Sequence, residues 1–182
     1  MKEKERGEKL VIPKIQRILY ATDLSENSAY VFRYAIDSAK KNDASITILH
    51  VIERMRPVTG FLADSYLDEE HSKKFSDEKI TYTMDRIRKG LELFCDRELK
   101  DDPECVDRVE SIEVCEGYPA EEILKKADQL NCDVIIMGTH GKGGISHTFF
   151  RSVVERVLHR VRKPVFIIPL PKGETDITFQ DI

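Results

Sequence analysis

The chain has 182 residues and a formal net charge of −4, with 41% hydrophobic and 34% charged residues. This length accommodates one α/β domain with a full core but not two. The charge balance provides no broad basic field for nucleic acid, and no apolar run approaches the roughly 20 residues of a membrane helix. We therefore expect a soluble protein whose partners include neither nucleic acid nor a membrane.

The cysteines and the two chain ends indicate the compartment. No Cys-x-x-Cys spacing links the four cysteines, which are Cys95, Cys105, Cys115 and Cys132. This argues against a zinc site or a disulfide framework and favours a reducing environment. Residues 1–13 form a charged leader without the apolar core of a signal peptide, and residues 171–182 form an acidic tail. We predict a cytoplasmic protein, folded over residues 14–170, with no metal ligands.

Apolar periodicity and turn residues predict five strands and four helices. In chain order these are a strand at 15–21, a helix at 25–41, a strand at 45–52, a helix at 71–100, a strand at 106–114, a helix at 119–130, a strand at 134–137, a helix at 153–161 and a strand at 164–170. Residues 53–69 are predicted to form a long loop. The last helix is expected to bury Val153, Val154, Val157, Leu158 and Val161.

The alternation of strands and helices predicts the fold class. It indicates an α/β protein with a five-stranded parallel, doubly wound sheet and helices on both faces, which is a Rossmann-like fold. Ligands of such sheets bind at the carboxyl ends of the strands, beside the point where the strand order reverses. Three stretches should meet in that crevice: Thr22–Asp23, His50–Val51 and Gly138–Gly144.

The third of these stretches is a glycine-rich loop that links the fourth strand to the last helix. Backbone amides and the positive end of a helix dipole would point at one spot there, which suits a phosphate. Many α/β proteins also cross from strand to helix through glycines with nothing bound. The Walker spacing is absent, and Ser146 stands where a dinucleotide fingerprint starting from Gly141 and Gly143 would have its third glycine.

Single polar residues near the crevice also have simpler interpretations. Asp23 is of the type that caps the turn after a strand. His50 is expected to be a packed residue rather than a ligand, and His140 has no partner at metal-binding spacing. No nucleophile elbow is recognisable, so no catalytic residue is assigned.

Three segments carry a resemblance to the universal stress protein family that extends over Lys14–Leu170. The first-strand ending at 20–25 is similar to the family's opening motif, and residues 117–123 are similar to the start of its third helix. Nucleotide-binding members carry Gly, two residues, Gly, nine residues, then Gly and Ser or Thr. Gly138, Gly141 and Ser152 match this pattern, but Arg151 stands where the pattern has its third glycine.

The resemblance implies an adenine nucleotide alpha hydrolase-like fold that binds ATP or AMP, with or without Mg²⁺. It also implies a homodimer formed through the last strand, 165–170, and a regulatory or stress-protective role with at most slow ATP hydrolysis. Asp23 would meet the ribose or adenine, and Val51 would offer its backbone to the base. The binding residues that it implies are Ala21, Thr22, Asp23, Val51, Met137, Gly138, His140, Gly141, Arg151, Ser152 and Val153.

Arg151 leaves two interpretations of this site. If the backbone there needs positive φ, or if phosphate packs against the Cα atom, an arginine adds strain and fills the site. If neither condition holds, the guanidinium can pair with a phosphate. The alternative to a nucleotide-binding protein is therefore a dimeric interaction module in which Arg151 occludes the phosphate site.

Overall fold

The computed structural model describes residues 12–25, 28–54, 69–139 and 149–169, except the side chains of 69–77 and 149–152. The elements in these ranges are β1 (Arg17–Thr22), α1 (Ser28–Asn42), β2 (Ser45–Glu53), α2 (Glu69–Glu98), a 3₁₀ helix (Pro103–Arg108), β3 (Val109–Gly117), α3 (Pro119–Gln129), β4 (Val134–Gly138), α4 (Phe149–Arg160) and β5 (Val165–Ile168). Of the loop predicted at 53–69, Glu53 belongs to β2 and Glu69 to α2, and residues 55–68 lie outside the described residues, as do most of the leader and the tail.

The five strands form one parallel sheet in the order β3-β2-β1-β4-β5, which confirms the predicted fold class. β1 is the central strand, and Leu19 is in register with Thr47 on β2 and with Ile135 on β4. The chain winds outward from β1 through β2 and β3, then returns to the other side of β1 as β4. The strand order therefore reverses between β1 and β4, and a crevice is expected at their carboxyl ends.

Two apolar cores cover the two faces of the sheet. α1 and α2 pack on one face over Ile18 and Tyr20, and α3 and α4 pack on the other over Leu19 and Ala21. Successive residues of a strand point to opposite faces, so a strand covered on both sides must be apolar throughout. This explains the continuous apolar run of β1, which is buried from Ile18 to Ala21.

Two details of the predicted elements are wrong. The strand predicted from Val106 begins at Val109, because residues from Pro103 to Arg108 form a 3₁₀ helix that buries Cys105. Proline at the start of a helix is pre-organised for that conformation, whereas its missing amide disfavours a strand. Leu158 is 49% exposed although it was predicted to be buried. α4 packs on one side only, and its buried stripe runs through Val153, Val154 and Val157.

Several sequence predictions concern what the chain lacks. All four cysteines are free thiols, and three of them, Cys95, Cys105 and Cys132, are buried. Among the described residues, no three His, Cys, Asp or Glu side chains cluster in a way that could hold a metal ion. No helix in the same part of the chain is both long enough and apolar enough to cross a membrane.

Candidate functional site

A cavity of about 350 Å³ opens at the carboxyl edge of the sheet. Drug-sized ligands occupy pockets of roughly 300–1,000 Å³, so this volume suits a small molecule. Six of the eleven residues implied by the resemblance line the cavity, namely Ala21, Thr22, Asp23, Val51, Met137 and Val153. They come from β1 and the loop after it, from β2, from β4 and from α4, so the topology brings together residues as far apart in the chain as Ala21 and Val153.

The other five implied residues lie in or near the connection from β4 to α4. Gly138 is the last residue of β4, while Arg151 and Ser152 belong to the first turn of α4. His140 and Gly141 lie outside the described residues. Because Arg151 is within a right-handed α-helix, positive φ at this position is not the reason for a glycine there. The other reason for a glycine at this position, close approach of a ligand to the helix backbone, still applies.

The carboxyl end of β2 directs a backbone carbonyl toward the cavity. The amide of Ser45 donates to Gln16 on the β1 side (2.8 Å), and the amide of Arg54 donates to Gly117 on the β3 side (3.0 Å). Backbone polar groups alternate between the two sides of a strand, so Val51 belongs with Ser45 on the β1-facing side. The register between β1 and β2 ends at Thr22 and His50. The carbonyl of Val51 therefore points beyond the end of β1, into the crevice.

The carboxylate of Asp23 is held by the loop that follows β1. Its Oδ1 atom accepts hydrogen bonds from the amide of Ser25 (3.1 Å) and the hydroxyl of Ser28 (3.3 Å). The first bond is the turn-capping contact expected from the sequence, where an Asp side chain bonds the backbone two residues on. Asp23 also lines the cavity, so capping and a ligand contact are compatible.

His50 lines the same cavity instead of being only a packed residue. Its Nδ1 atom lies 2.9 Å from the carbonyl oxygen of Thr22. A carbonyl oxygen can only accept, so Nδ1 carries a proton and donates. This bond fixes the ring beside the end of β1, where β2 runs past its neighbour, and explains why a polar residue is tolerated near the end of a core strand.

The remaining walls of the cavity are mainly apolar. Ile52 and Ile87 contribute from the side covered by α1 and α2, and Pro119 and Ile123 contribute from the side of α3. Sequence reasoning missed these four as site residues, because their spacing is that of ordinary core positions. Apolar walls with a few polar groups are typical of a small-molecule pocket.

Two carboxylates lie on the wall of the cavity. The carboxylates of Asp23 and Glu53 lie at the end formed by β1 and β2. Val153, which directly follows the first turn of α4, lines the cavity as well. A helix N-terminus carries a partial positive charge, whereas carboxylates repel anions. A ligand with one anionic end would therefore place that end at α4.

The fold and the cavity define a doubly wound α/β protein with a cavity at the switch point of its sheet. A model of the universal stress protein family matches residues 14–169. The chain belongs to the universal stress protein family.

Individual relatives agree with this assignment over most of their length. Universal stress protein MJ0531 of Methanocaldococcus jannaschii is 29% identical over 159 residues, which cover 87% of this chain and 85% of the relative. Stress response protein NhaX of Bacillus subtilis is 30% identical over 170 residues, which cover 84% of this chain and 96% of NhaX.

Two solved structures have a fold similar to that of this chain. The structure of protein MJ0577 is 25% identical and has a TM-score of 0.65, covering 88% of this chain and all of the other. Universal stress protein UspA from Lactobacillus plantarum has a TM-score of 0.57 at 18% identity, covering 86% and 99% of the two chains. At that level of identity, the second similarity concerns the fold alone.

Proposed function

We propose that this chain binds an adenine nucleotide, ATP or AMP, in the cavity at the carboxyl edge of the sheet and acts as a regulatory or stress-protective protein. The carrying observation is the cavity itself, which joins a backbone carbonyl, a fixed carboxylate and the first turn of α4 around apolar walls. Family membership supports the same ligand class, since nucleotide-binding members share the pattern of Gly138, Gly141 and Ser152.

The chemistry of the walls gives the nucleotide one orientation. The base lies between apolar side chains, with its exocyclic amine donating to the carbonyl of Val51. The sugar lies at Asp23, because an ionised carboxylate accepts hydrogen bonds from hydroxyl groups. The phosphates lie at the first turn of α4 and at the glycine-rich loop, away from the carboxylates of Asp23 and Glu53. His140 and Gly141 would contact the phosphates from that loop. Any Mg²⁺ would bind to the phosphates.

Isothermal titration of the purified protein with ATP and with AMP, each with and without Mg²⁺, tests the proposal. We expect micromolar binding by the native chain. If the guanidinium of Arg151 pairs with a phosphate, the Arg151→Gly variant should bind ATP about tenfold more weakly, because the loss of that pair costs roughly 1.4 kcal/mol. Arg156→Gly is the matched control, since this exposed arginine on the same helix has the same propensity cost and should leave affinity unchanged.

The opposite result would identify the alternative function. If the native protein binds neither nucleotide at millimolar concentration and Arg151→Gly creates binding, the arginine closes the phosphate site. The chain would then act as a dimeric interaction module. Absence of binding by both proteins would contradict the proposed ligand class.

Three further parts of the proposal follow from the family resemblance. The protein works in the cytoplasm, forms a homodimer through β5, and hydrolyses ATP slowly at most. The dimer is supported by the position of β5 at the edge of the sheet, where Phe166 is 40% exposed.

A further inference from the structure

A directed chain of hydrogen bonds ends on the carboxylate of Asp23. The amide of Leu24 donates to the hydroxyl oxygen of Thr22 (3.2 Å), and the Thr22 hydroxyl donates to Ser28 Oγ (2.9 Å). Ser28 in turn donates to Asp23 Oδ1 (3.3 Å). An ionised carboxylate only accepts, so Ser28 Oγ is the donor in its contact with Asp23. Linked bonds of this kind polarise one another.

The middle member of this chain is held in place by the core. Ser28 is 4% exposed and is the first residue of α1. The hydroxyl of Tyr20 donates to the Ser28 carbonyl (2.7 Å), and the amide of Ser28 donates to the carbonyl of Ser25 (2.9 Å). Tyr20 is 1% exposed, and its ring lies 5.6 Å from that of Phe32. The position of the Ser28 hydroxyl is therefore set by β1, α1 and the core between them.

Capping the turn after β1 does not require this second donor. The amide of Ser25 alone completes the turn by bonding Asp23 Oδ1. The additional bond from Ser28 restricts the carboxylate at the wall of the cavity, where Asp23 faces the ligand space. An acceptor that is already oriented loses less conformational freedom when a ligand binds.

We propose that Ser28 is a positioning residue of the nucleotide site, which holds the Asp23 carboxylate in the orientation that accepts the sugar hydroxyls of the ligand. This inference rests on the proposed nucleotide-binding function. It adds a specificity: the site prefers nucleotides with free sugar hydroxyls, and Ser28 sustains that preference without touching the ligand.

The test compares AMP with 2′,3′-dideoxyadenosine monophosphate by isothermal titration, in the native protein and in Ser28→Ala. The variant should bind AMP about tenfold more weakly, because a carboxylate that is no longer held by Ser28 loses more conformational freedom when the ligand binds. Its affinity for the dideoxy ligand should stay within about twofold, because that ligand has no hydroxyl for Asp23 to accept. An equal loss for both ligands, or no loss for AMP, would overturn the inference.

Ser25→Ala is the matched control. Ser25 has the same residue type and the same 4% exposure, three residues before Ser28, and in the described structure its amide is the group that bonds the Asp23 carboxylate. Its affinity for both ligands should equal that of the native protein. A loss of AMP binding as large as that in Ser28→Ala would mean that any cavity in this loop has the same effect, and the positioning role would be rejected.

A readout without ligand separates this inference from the proposed function. Hydrogen exchange of the Ser25 amide, measured by NMR, should be roughly threefold faster or more in Ser28→Ala, because the carboxylate that accepts from this amide is less restricted. If the native protein binds neither nucleotide, the proposed function fails. The exchange rate of the Ser25 amide then decides by itself whether Ser28 positions Asp23. Unchanged exchange would overturn it.

Discussion

Residues at the carboxyl ends of β1 and β2 combine structural and ligand-facing roles. Asp23 caps a turn and lines the cavity, and His50 bonds the carbonyl of Thr22 while lining the same cavity. From the sequence alone, each role was an alternative to the other. The structure shows that they are compatible, because a side chain fixed by its own backbone is a well-oriented group for a ligand.

At Gly117 there is no room for a side chain. A Cβ atom at this position would lie 2.6 Å from the Cγ atom of Glu122 on α3. We expect Gly117→Ala to lower the free energy of unfolding by about 1 kcal/mol, as overpacking does. Urea denaturation measures this change.

The Glu122→Ala background is the control for this prediction. Removing the Glu122 side chain removes the atoms that the new methyl group would meet, so the cost of Gly117→Ala should fall to near zero. A cost that is the same in both backgrounds would show that the contact with Glu122 is not its cause.

At the scale of elements, a single carboxylate fastens the start of β1 to the start of β4. Asp133 Oδ2 accepts hydrogen bonds from the amides of Gln16 (2.8 Å) and Arg17 (2.9 Å). The amide of Asp133 donates to the carbonyl of Arg17 (2.8 Å), so the contact is reciprocal. Desolvation by burial acts to raise the pKa of Asp133, but the two amides and the positive charges of Arg17 and Lys163 together outweigh it and hold the pKa below its ordinary value.

Asp133→Asn should therefore destabilise the fold in a pH-dependent way. A carboxyl whose folded pKa is lowered stabilises the fold above its unfolded pKa of about 3.9, and loses this contribution as the pH falls through the folded value. We expect the variant to lower the free energy of unfolding by roughly 1–3 kcal/mol at pH 7. Denaturant titrations at pH 7 and pH 3 should show a smaller difference at pH 3. An equal difference at both values would contradict the electrostatic explanation.

Pattern recognition succeeded for long elements and failed where local chemistry competed. α1, α3 and β4 were predicted within a few residues, because their apolar spacing and their Pro or Asn boundaries agree. The residues before β3 were misassigned, since Val106 and its neighbours fit a strand by propensity while Pro103 favours a helical turn. Leu158 was misassigned because the spacing of apolar residues does not reveal how much of the surface of α4 is covered by the sheet and α3.

At the scale of the whole molecule, the two edges of the sheet differ. β3 forms one edge, with Glu110, Glu113 and Glu116 along its length. β5 forms the other edge, with the half-buried Val165, Ile167 and Ile168 and the exposed Phe166. Charged residues discourage edge pairing, whereas an apolar edge invites it. This contrast favours β5 as the dimer edge of the proposed function.

Phe166→Glu tests this assignment. A charge at the apolar edge should weaken the dimer at least tenfold, because burying an unpaired carboxylate costs more than about 1.4 kcal/mol. Sedimentation equilibrium measures the dissociation constant. Leu93→Glu is the control, since Leu93 is 70% exposed on α2 and should leave association unchanged. A native protein that is monomeric at millimolar concentration, or a variant that dimerises like the native chain, would contradict the proposed interface.

The sequence by itself determined the family, the alternation of strands and helices, and the residues at the ends of β1, β2 and β4. These depend on local periodicity and on short motifs, which a single chain displays directly. Only the tertiary structure decided that Ile87 and Ile123 form cavity walls, that Val51 directs its carbonyl past the end of β1, and that Ser28 bonds Asp23. Such contacts depend on register, on the unequal lengths of neighbouring strands and on helix placement, and none of these is encoded in local spacing.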